Sequence, residues 1–377
     1  MTCLELTLRG AEVLTPEGLA PQDLNLGGET IGGPGGRVVD LSGYMVLPGL
    51  IDIHGDGFER QLAPRRGAMT DLGQGLAAVD AELATAGITT AVLAQFFSWE
   101  GGMRGPDFAE ALVGALEGYS GLTDMQMQLR LETHMLDEFP RAEALIARGG
   151  ISYIVLNDHL PHDALNKGKR PPRLTGQALK AGRNPEAHHA LLQAMHDRAE
   201  DVPGALEALI VRHPGVRFGS HDDNTADQRR GWHGMGVKIA EFPETREAAQ
   251  AARATGDGII LGAPNVMRGS SHKGNASARD LIAEGLCDAL ASDYHYPALK
   301  QAVFRLVDDG VLPLEQAWKL VSDRPAQMLG YDDRGTLEDG KRADLVVLNA
   351  KTRMIEATLA SGRVSWMSGG AAARFLG

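Results

Sequence analysis

The sequence predicts a (β/α)8 barrel of the TIM type that carries a small β-sandwich domain built from both ends of the chain. The middle of the chain alternates short apolar runs with segments of helical periodicity, and both ends are rich in strand-like segments and turns. Polar residues also follow directly after several of the apolar runs. Alternating strands and helices in this number are typical of a parallel barrel, whose active site lies at the carboxyl ends of its strands.

The two chain ends predict the β-sandwich domain, at residues 1–48 and 333–377. Leu4, Leu6 and Leu8 alternate with polar residues, and turn-forming clusters follow at 15–18 and 32–36. Near the other end, the strand-like segment 343–348 lies between glycines. Because the termini of a domain often lie close together at its surface, one domain made from both ends, with the barrel at 49–332 inserted between them, is the simplest arrangement.

The first barrel strand lies in the segment LPGLIDIHGDGFERQLAPRRG, at 47–67, which begins apolar and ends polar. Its apolar run is short and bounded by glycines, as expected of a buried parallel strand. His54 and Asp56 lie two residues apart, so in an extended chain their side chains point to the same side. Together they could hold a divalent ion, although for an isolated pair a capping histidine and a turn aspartate are the simpler interpretation.

The remaining barrel elements follow in order along the chain. Helical spacing predicts helices at 71–85, 107–116 and 141–147, and a long helical region at 185–212 with an interruption near Pro203. Apolar runs predict strands at 88–93, 129–131, 151–156, 216–219, 237–242, 259–262 and 289–292. The polar segment 160–185 has no clear period and is predicted to be a loop or lid.

Composition and charge exclude several classes of protein. The chain has 377 residues, of which 43% are hydrophobic and 23% charged, which is enough for a large core and untypical of disorder. Its formal net charge of −12 implies no broad basic face for nucleic acid. Two cysteines are too few for a disulfide framework, and we find neither a signal-peptide pattern nor an apolar run of membrane-spanning length. We therefore expect a cytoplasmic protein.

Six polar residues follow the apolar runs and form a candidate metal site: His54, Asp56, Glu132, His159, His221 and Asp293. Imidazoles combined with carboxylates suit zinc, manganese or iron better than magnesium. Six ligands exceed the need of one tetrahedral ion, but a pair of ions bridged by Glu132 would use them all. Each residue alone also fits a structural role, and His134 and His295 are alternative ligands. We assign six other histidines to structural positions: His162, His188, His189, His196, His213 and His233.

A second feature is the segment GAPNVMRGSSHKGN at 262–275, in which small and basic residues follow a strand. Backbone N–H groups in such a loop, together with arginine and lysine side chains, can form an anion site. A solvated loop is the alternative. The candidate substrate-binding residues are Arg268, His272, Lys273 and Asn275, with Arg65 and Arg66 after the first strand. Two basic clusters in an acidic chain indicate a polyanionic substrate.

The motifs VLPGLIDIH, SHDD, the late ASD and GTLEDGKRADLVVL are similar to those of the amidohydrolase superfamily. Within it, the H-x-D start, the AEFP segment and GAPN followed by RGSSHKGN resemble the diphosphatases of the carbon–phosphorus lyase pathway for phosphonate degradation. Members of the amidohydrolase superfamily usually carry metal ligands after the fourth, fifth and sixth barrel strands, and the resemblance implies the same positions here. Counting the predicted strands instead places Glu132, His159 and His221 after the third, fourth and fifth, and we give the motifs precedence over the count.

The resemblance implies an enzyme that binds one or two divalent ions per chain through the six residues, with zinc favoured over manganese and iron. It implies hydrolysis of a phosphoanhydride in α-D-ribose 1-methylphosphonate 5-triphosphate to the 5-phosphate and pyrophosphate, with Asp293 and Glu132 as catalytic residues. The expected partner is a small phosphorylated sugar, not nucleic acid or a membrane, and the sequence leaves a homo-oligomer open. Two alternatives are hydrolysis of a C–N bond, as in a deaminase or N-acyl hydrolase, and a non-catalytic binding subunit.

Overall fold

The structure is a computed structural model that describes residues 3–63, 71–269 and 276–377. These residues form two compact units, the first made of Met1–Leu93, Tyr119–Gln126 and Gly258–Gly377 and the second of Ala94–Gly118 and Met127–Asp257. Five of the predicted substrate-binding residues lie outside the described residues: Arg65, Arg66, His272, Lys273 and Asn275.

Short strands make up the N-terminal part of the first unit. They are β1 (Glu5–Arg9), β2 (Glu12–Thr15), β3 (Gly18–Pro21), β4 (Leu24–Gly27), β5 (Thr30–Ile31), β6 (Arg37–Asp40) and β7 (Tyr44–Pro48). Leu6 and Leu8 are buried and their neighbours in β1 are not, which is the alternation that the sequence predicts. Four of the strands form a sheet in the order β5-β4-β1-β6.

The middle of the chain supplies eight further strands, in one sheet that follows chain order. They are β8 (Leu50–Gly55), β9 (Ile88–Phe97), β10 (Asp124–Glu132), β11 (Tyr153–Asn157), β12 (Arg217–His221), β13 (Ile239–Glu241), β14 (Gly258–Gly262) and β15 (Ala289–Ala291). Within each unit neighbouring strands pair in parallel. The first and last strands meet through a parallel bridge between Gly55 and Asp293. The predicted (β/α)8 barrel is therefore confirmed.

Helices connect these strands, and the first long one shows how the local sequence sets their ends. The helices are α1 (Glu59–Leu62), α2 (Leu72–Ala86), α3 (Pro106–Gly118), α4 (Phe139–Gly149), α5 (His162–Asn166), α6 (Leu174–Lys180), α7 (Pro185–His196), α8 (Val202–Arg212), α9 (Ala226–Gly234), α10 (Arg246–Thr255), α11 (Ala263–Arg268), α12 (Ala278–Ala283), α13 (Ala298–Asp308), α14 (Leu314–Lys319) and α15 (Asp323–Leu329). The Asp71 side chain accepts a hydrogen bond from the backbone N–H of Gly73 and so caps α2. Gly87 ends it with φ of 83°, a left-handed conformation that glycine adopts without strain.

The C-terminal segment returns to the β-sandwich domain as β16 (Leu345–Asn349), β17 (Ile355–Ala360), β18 (Arg363–Met367) and α16 (Gly369–Leu376). It completes a six-stranded sheet in the order β18-β17-β16-β7-β2-β3, in which β16 lies antiparallel to β7. Leu8 and Leu26 from the N-terminal strands share one apolar core with Leu345 and Leu359. Both ends of the chain thus build the small domain, while its limits at 48/49 and 332/333 stay a prediction.

Three local predictions from the sequence differ from the structure. The segment 160–185, predicted to be a loop or lid, contains α5 and α6. The predicted anion loop after β14 begins as the short helix α11, with Pro264 in its first turn. The interruption of the long helical region lies at 197–201, before Pro203, because a proline is tolerated in the first turn of a helix. Among the described residues, no helix has the length and apolarity needed to cross a membrane.

Candidate metal centre

Each of the six predicted ligands lies at the carboxyl end of a barrel strand. His54 is the second-last residue of β8, and Asp56 directly follows that strand. Glu132 is the last residue of β10 and His221 the last residue of β12. His159 comes two residues after β11, and Asp293 comes two residues after β15. Glu132, His159 and His221 therefore follow the third, fourth and fifth barrel strands. The strand count made from the sequence is correct, and the preference for the fourth, fifth and sixth strands is wrong.

In the first unit, main-chain hydrogen bonds join the segment of His54 and Asp56 to that of Asp293. The N–H of Asp293 donates to the carbonyl oxygen of His54 at 3.1 Å, and the N–H of Asp56 donates to the carbonyl oxygen of Asp293 at 2.9 Å. His54 is fully buried. Since backbone bonds fix all three residues, the position of each side chain depends little on loop motion.

A buried carboxylate supports this segment from within the barrel. Asp52 accepts hydrogen bonds from the N–H of Ser292 at 2.9 Å and from its hydroxyl at 2.5 Å. Burial raises the pKa of Asp52, while the bonds from Ser292 oppose that rise. A Cβ at Gly55 would lie 2.4 Å from an Asp52 carboxylate oxygen and 2.8 Å from the Tyr296 ring, so only glycine fits between these groups.

In the second unit, Glu132 and His159 are already in direct contact. The Glu132 carboxylate is fully buried, lies 2.5 Å from Nδ1 of His159, and accepts a hydrogen bond from the N–H of His159 at 3.2 Å. Burial by itself would lower the pKa of His159, but the hydrogen bond and charge of Glu132 raise it, and the net direction is upward. The carboxylate of Glu132 and the imidazole of His159 are thus held in contact at the ends of β10 and β11.

His221 lies between a cation and an anion. Nε2 of His221 lies 3.0 Å from a guanidinium nitrogen of Arg130, and its Nδ1 lies 3.0 Å from a carboxylate oxygen of Asp222. The Arg130 guanidinium also stacks on the ring of Phe96, 3.9 Å from its centre. Burial lowers the pKa of His221, and the charge of Arg130 lowers it further. Because Nε2 accepts from Arg130, a neutral imidazole carries its proton on Nδ1, the nitrogen that lies beside Asp222.

Glu241 is a site residue that our sequence analysis did not select. It ends β13, pairs with His221 across the sheet, and offers an oxygen within 4.8 Å of a His221 ring nitrogen. Its Oε1 accepts hydrogen bonds from the Tyr153 hydroxyl at 2.6 Å and from the Gln128 amide at 2.9 Å. Glu241 lies inside the strand predicted at 237–242, whereas the observed strand ends at Glu241, so a search for polar residues after the predicted strands passed over it.

Backbone strain marks the same strand ends. Asp222 and Asp293 have φ of 59° and 56°, and Phe242, directly after β13, has φ of 52°. Residues with side chains rarely adopt this left-handed region, and a bulky aromatic residue is especially unfavourable there. Such strain concentrates at functional sites. The strain therefore supports these strand ends as the functional region.

The two aspartates of the SHDD motif have different surroundings. Asp223 is fully buried and accepts hydrogen bonds from the Ser220 hydroxyl at 2.6 Å and from Arg229 at 3.1 Å. Arg229, also fully buried, donates as well to the carbonyl oxygens of Ile239 and Val237. Burial raises the pKa of Asp223, opposed by Ser220 and Arg229. Asp223 thus ties β12 to α9 and β13, whereas Asp222 contacts His221.

Arg268 is the one predicted substrate-binding residue that the structure describes. It is exposed at the end of α11, its guanidinium donates to the hydroxyl of Tyr294, and it lies 5.5 Å from the centre of that ring. Tyr294 directly follows Asp293. Arg60, which we did not select from the sequence, donates to the Tyr294 carbonyl oxygen at 2.5 Å and forms a 2.7 Å ion pair with Glu82.

The donor set fits a divalent metal ion. In the second unit, the fully buried carboxylate of Glu132 and the imidazole of His159 that it contacts are the mixed oxygen and nitrogen ligands that zinc, manganese and iron accept. The guanidinium of Arg130 occupies Nε2 of His221. An ion would therefore compete with Arg130 for that lone pair, or bind His221 through Nδ1.

The chain has imidazoles and carboxylates at the carboxyl ends of the strands of a (β/α)8 barrel, which is the arrangement of a metal-dependent barrel hydrolase. The model of the amidohydrolase family matches residues 107–369, and the chain belongs to that family and is a hydrolase. It is 33% identical over 329 residues to the alpha-D-ribose 1-methylphosphonate 5-triphosphate diphosphatase of Escherichia coli (strain K12), in an alignment that covers 85% of this chain and 87% of that protein.

Solved structures show the same fold at low sequence identity. A β-aspartyl dipeptidase of Fervidobacterium islandicum AW-1, in complex with a β-Asp-Leu dipeptide, has a TM-score of 0.62 at 16% identity, with 96% of this chain and 97% of that chain covered. An N-acetylglucosamine-6-phosphate deacetylase of Pasteurella multocida has a TM-score of 0.61 at 13% identity, with 95% and 99% covered. These likenesses concern the fold alone.

Proposed function

We propose that the chain hydrolyses a phosphoanhydride of a ribose 5-triphosphate, α-D-ribose 1-methylphosphonate 5-triphosphate, to the 5-phosphate and pyrophosphate in phosphonate catabolism. The observation that carries this proposal is the exposed guanidinium of Arg268 on Tyr294, one residue beyond the strand-end carboxylate of Asp293. A polyphosphate needs such counter-charge, and a neutral amide does not. The 33% identity to the named diphosphatase supports the same substrate class.

The proposed ligands are the six strand-end residues His54, Asp56, Glu132, His159, His221 and Asp293, holding one or two ions, preferably zinc. Such an ion lowers the pKa of water and draws charge from a phosphoryl oxygen. Asp222 lies beside Nδ1 of His221 and Glu132 contacts Nδ1 of His159, so each carboxylate would favour a proton on the Nδ1 that it faces. Asp293 is proposed to accept the proton of the attacking water through its carboxylate.

The basic residues are proposed to bind the polyphosphate. Arg268 would grip oxygens of the departing pyrophosphate, and Arg130 is placed to offset charge beside His221. We extend the same role to the undescribed residues Arg65, Arg66, His272, Lys273 and Asn275 on the strength of their sequence positions. The proposed setting is the cytoplasm, which agrees with the free thiols of Cys3 and Cys287.

The test is hydrolysis of ribose 5-triphosphates in water labelled with ¹⁸O, with zinc, manganese and iron each supplied. Attack at the phosphorus nearest the ribose puts the label into the sugar phosphate and releases unlabelled pyrophosphate. Label in pyrophosphate or in inorganic phosphate would place the attack elsewhere. Asp293→Asn serves as the variant that should lose activity, and His213→Gln, whose imidazole contacts Glu143, as the matched control.

The alternative is hydrolysis of a C–N bond. The same carboxylates and imidazoles would serve such a reaction, because an activated water adds to a carbonyl or amidine carbon as well as to phosphorus. A panel of dipeptides, N-acyl sugars and aminopyrimidines, assayed for ammonia or carboxylate release, decides between the two. Turnover of any of these above that of the triphosphates would replace the proposed function.

A further inference from the structure

Three imidazoles and a carboxylate that take no part in the proposed function lie together in the second unit. His134 follows β10, Asp158 follows β11, His162 begins α5 and His196 ends α7. The rings of His134 and His162 have centres 4.8 Å apart, and those of His162 and His196 are 4.9 Å apart. Our sequence analysis assigned His162 and His196 to structural positions, because only the folded chain brings them to His134.

The hydrogen bonds of the cluster indicate where its protons lie when both His196 and His162 are neutral. Nε2 of His196 lies 2.9 Å from the side-chain oxygen of Asn166, so that nitrogen carries the proton and donates. Nδ1 of His196 is then an acceptor, and it lies 2.7 Å from Nδ1 of His162, which must donate. Because a neutral imidazole has one N–H, Nε2 of His162 is left with a lone pair.

That lone pair faces the carboxylate of Asp158. Nε2 of His162 lies 3.0 and 3.1 Å from the two Asp158 oxygens. Two acceptors at this distance repel each other unless a cation lies between them or against both. The cation is either a second proton, which would make His162 an imidazolium, or a metal ion.

Distances within the cluster fit a metal ion as well as a proton. Two ligand atoms about 2.0–2.1 Å from a tetrahedral ion lie about 3.3 Å apart. Asp158 lies 3.0 Å from Nε2 of His162 and 3.6 Å from Nδ1 of His134, and the ligand atoms of all three residues lie within 4.8 Å of one another. The His134 side chain is 7% exposed, and those of Asp158 and His162 are 40% and 31% exposed, so the site is anchored on one side and open to solvent on the other.

We propose that His134, Asp158 and His162 bind one divalent transition-metal ion, of the zinc type, at a site separate from the six strand-end ligands. Two imidazoles, one carboxylate and an open position for water form an exchangeable zinc site rather than a closed structural one. His196 is the positioning residue, since it holds the proton on Nδ1 of His162 and keeps Nε2 free for the ion. An ion here would fix the segment 158–162, which contains His159.

The experiment is a count of zinc ions per chain, by elemental analysis of metal-stripped full-length protein that has been reloaded with zinc and desalted. His162→Gln and Asp158→Asn should each bind one ion fewer than the wild type, and His213→Gln should bind the same number. Asp56→Asn, which tests the proposed catalytic centre, should retain this ion, so the two proposals can fail separately. Equal counts in the wild type, His162→Gln and Asp158→Asn would overturn the inference.

A second variant covers the case in which those proteins do not fold. His196→Leu leaves all three ligands in place but removes the acceptor for the Nδ1 proton of His162. It should weaken zinc or cobalt binding at this site by about 10- to 100-fold, with the ligand-field absorption of bound cobalt as the readout. An unchanged cobalt affinity and spectrum in His196→Leu would show that the cluster is a proton-sharing network and not a metal site.

Discussion

Exchanging each aspartate of the SHDD motif for asparagine should separate stability from activity in two adjacent residues. Asp223 is fully buried between Ser220 and Arg229. The Asp222 side chain is 49% exposed and contacts Nδ1 of His221. Asparagine tolerates the left-handed backbone of Asp222, where φ is 59°, so Asp222→Asn keeps the chain path.

The magnitudes follow from burial. Asp223→Asn removes the charge opposite a fully buried guanidinium, and breaking such a buried pair costs roughly 3–5 kcal/mol, a large part of the ~5–15 kcal/mol by which a folded protein is stable. Arg229 keeps a 3.3 Å contact with Asp257, which places the expected loss near the lower value. Asp222→Asn changes a half-exposed residue, so its free energy of unfolding should stay within about 0.5 kcal/mol of the wild type.

Activity should show the reverse order. Asp222 lies 3.0 Å from Nδ1 of His221, one of the proposed metal ligands, and loss of a residue that orients such a histidine should lower activity or metal affinity about 10- to 100-fold. The assays are urea unfolding followed by circular dichroism, and kcat/KM for a ribose 5-triphosphate at a temperature where both variants are folded. Equal loss of stability in the two variants, or a fully active Asp222→Asn, would refute the division of roles.

Three further predictions follow from single contacts. Arg268→Ala removes one charge-assisted contact worth roughly 1.5–3 kcal/mol, so kcat/KM for a triphosphate should fall by about one to two powers of ten at unchanged metal content; an unchanged value would return C–N hydrolysis to first place. Gly55→Ala should lower the free energy of unfolding by about 1–3 kcal/mol through overpacking against Tyr296, seen as a lower Tm, and an unchanged Tm would contradict the close packing. The hydrogen bond from Arg212 lowers the pKa of Glu143, outweighing its burial, so this pair stabilises the fold above the pKa of an unfolded glutamate and ceases to do so as the pH falls through the lower folded value. Arg212→Gln should therefore cost about 0.2–1 kcal/mol at pH 7 and almost nothing in strong acid, and a cost that is the same at both pH values would exclude this ion pair as its cause.

The barrel and its strand ends could be predicted because the signals are local. The strands that carry His54, Glu132 and His221 each contain a short apolar run with a polar residue at its carboxyl end, so these three residues follow from the pattern alone. Counting those runs gave the correct strand for each residue. The motif resemblance gave the wrong strand numbers, because similarity of short motifs carries no information about how many strands precede them.

The segment 160–185 escaped prediction for a physical reason. Helices α5 and α6 are five and seven residues long, which is too short to show a helical period, and their sequences are mostly polar. Short helices depend on tertiary packing more than on propensity. Leu165 and Leu174 are almost fully buried, and these two side chains anchor the helices. Two leucines in a polar segment do not form a pattern that sequence analysis can detect.

Side chains that are close only in the folded chain mark the limit of sequence analysis. Asp158 and His162 are four residues apart, but His134 and His196 come from other elements and no spacing links them. Likewise nothing in the sequence of β10 indicates that Arg130 contacts His221 and Phe96. From the sequence, an arginine within a strand is predicted to face solvent, because charged side chains are rarely buried without partners. Because its partners Phe96 and His221 lie on other strands, the barrel topology decides whether such an arginine lies at the surface or in the site.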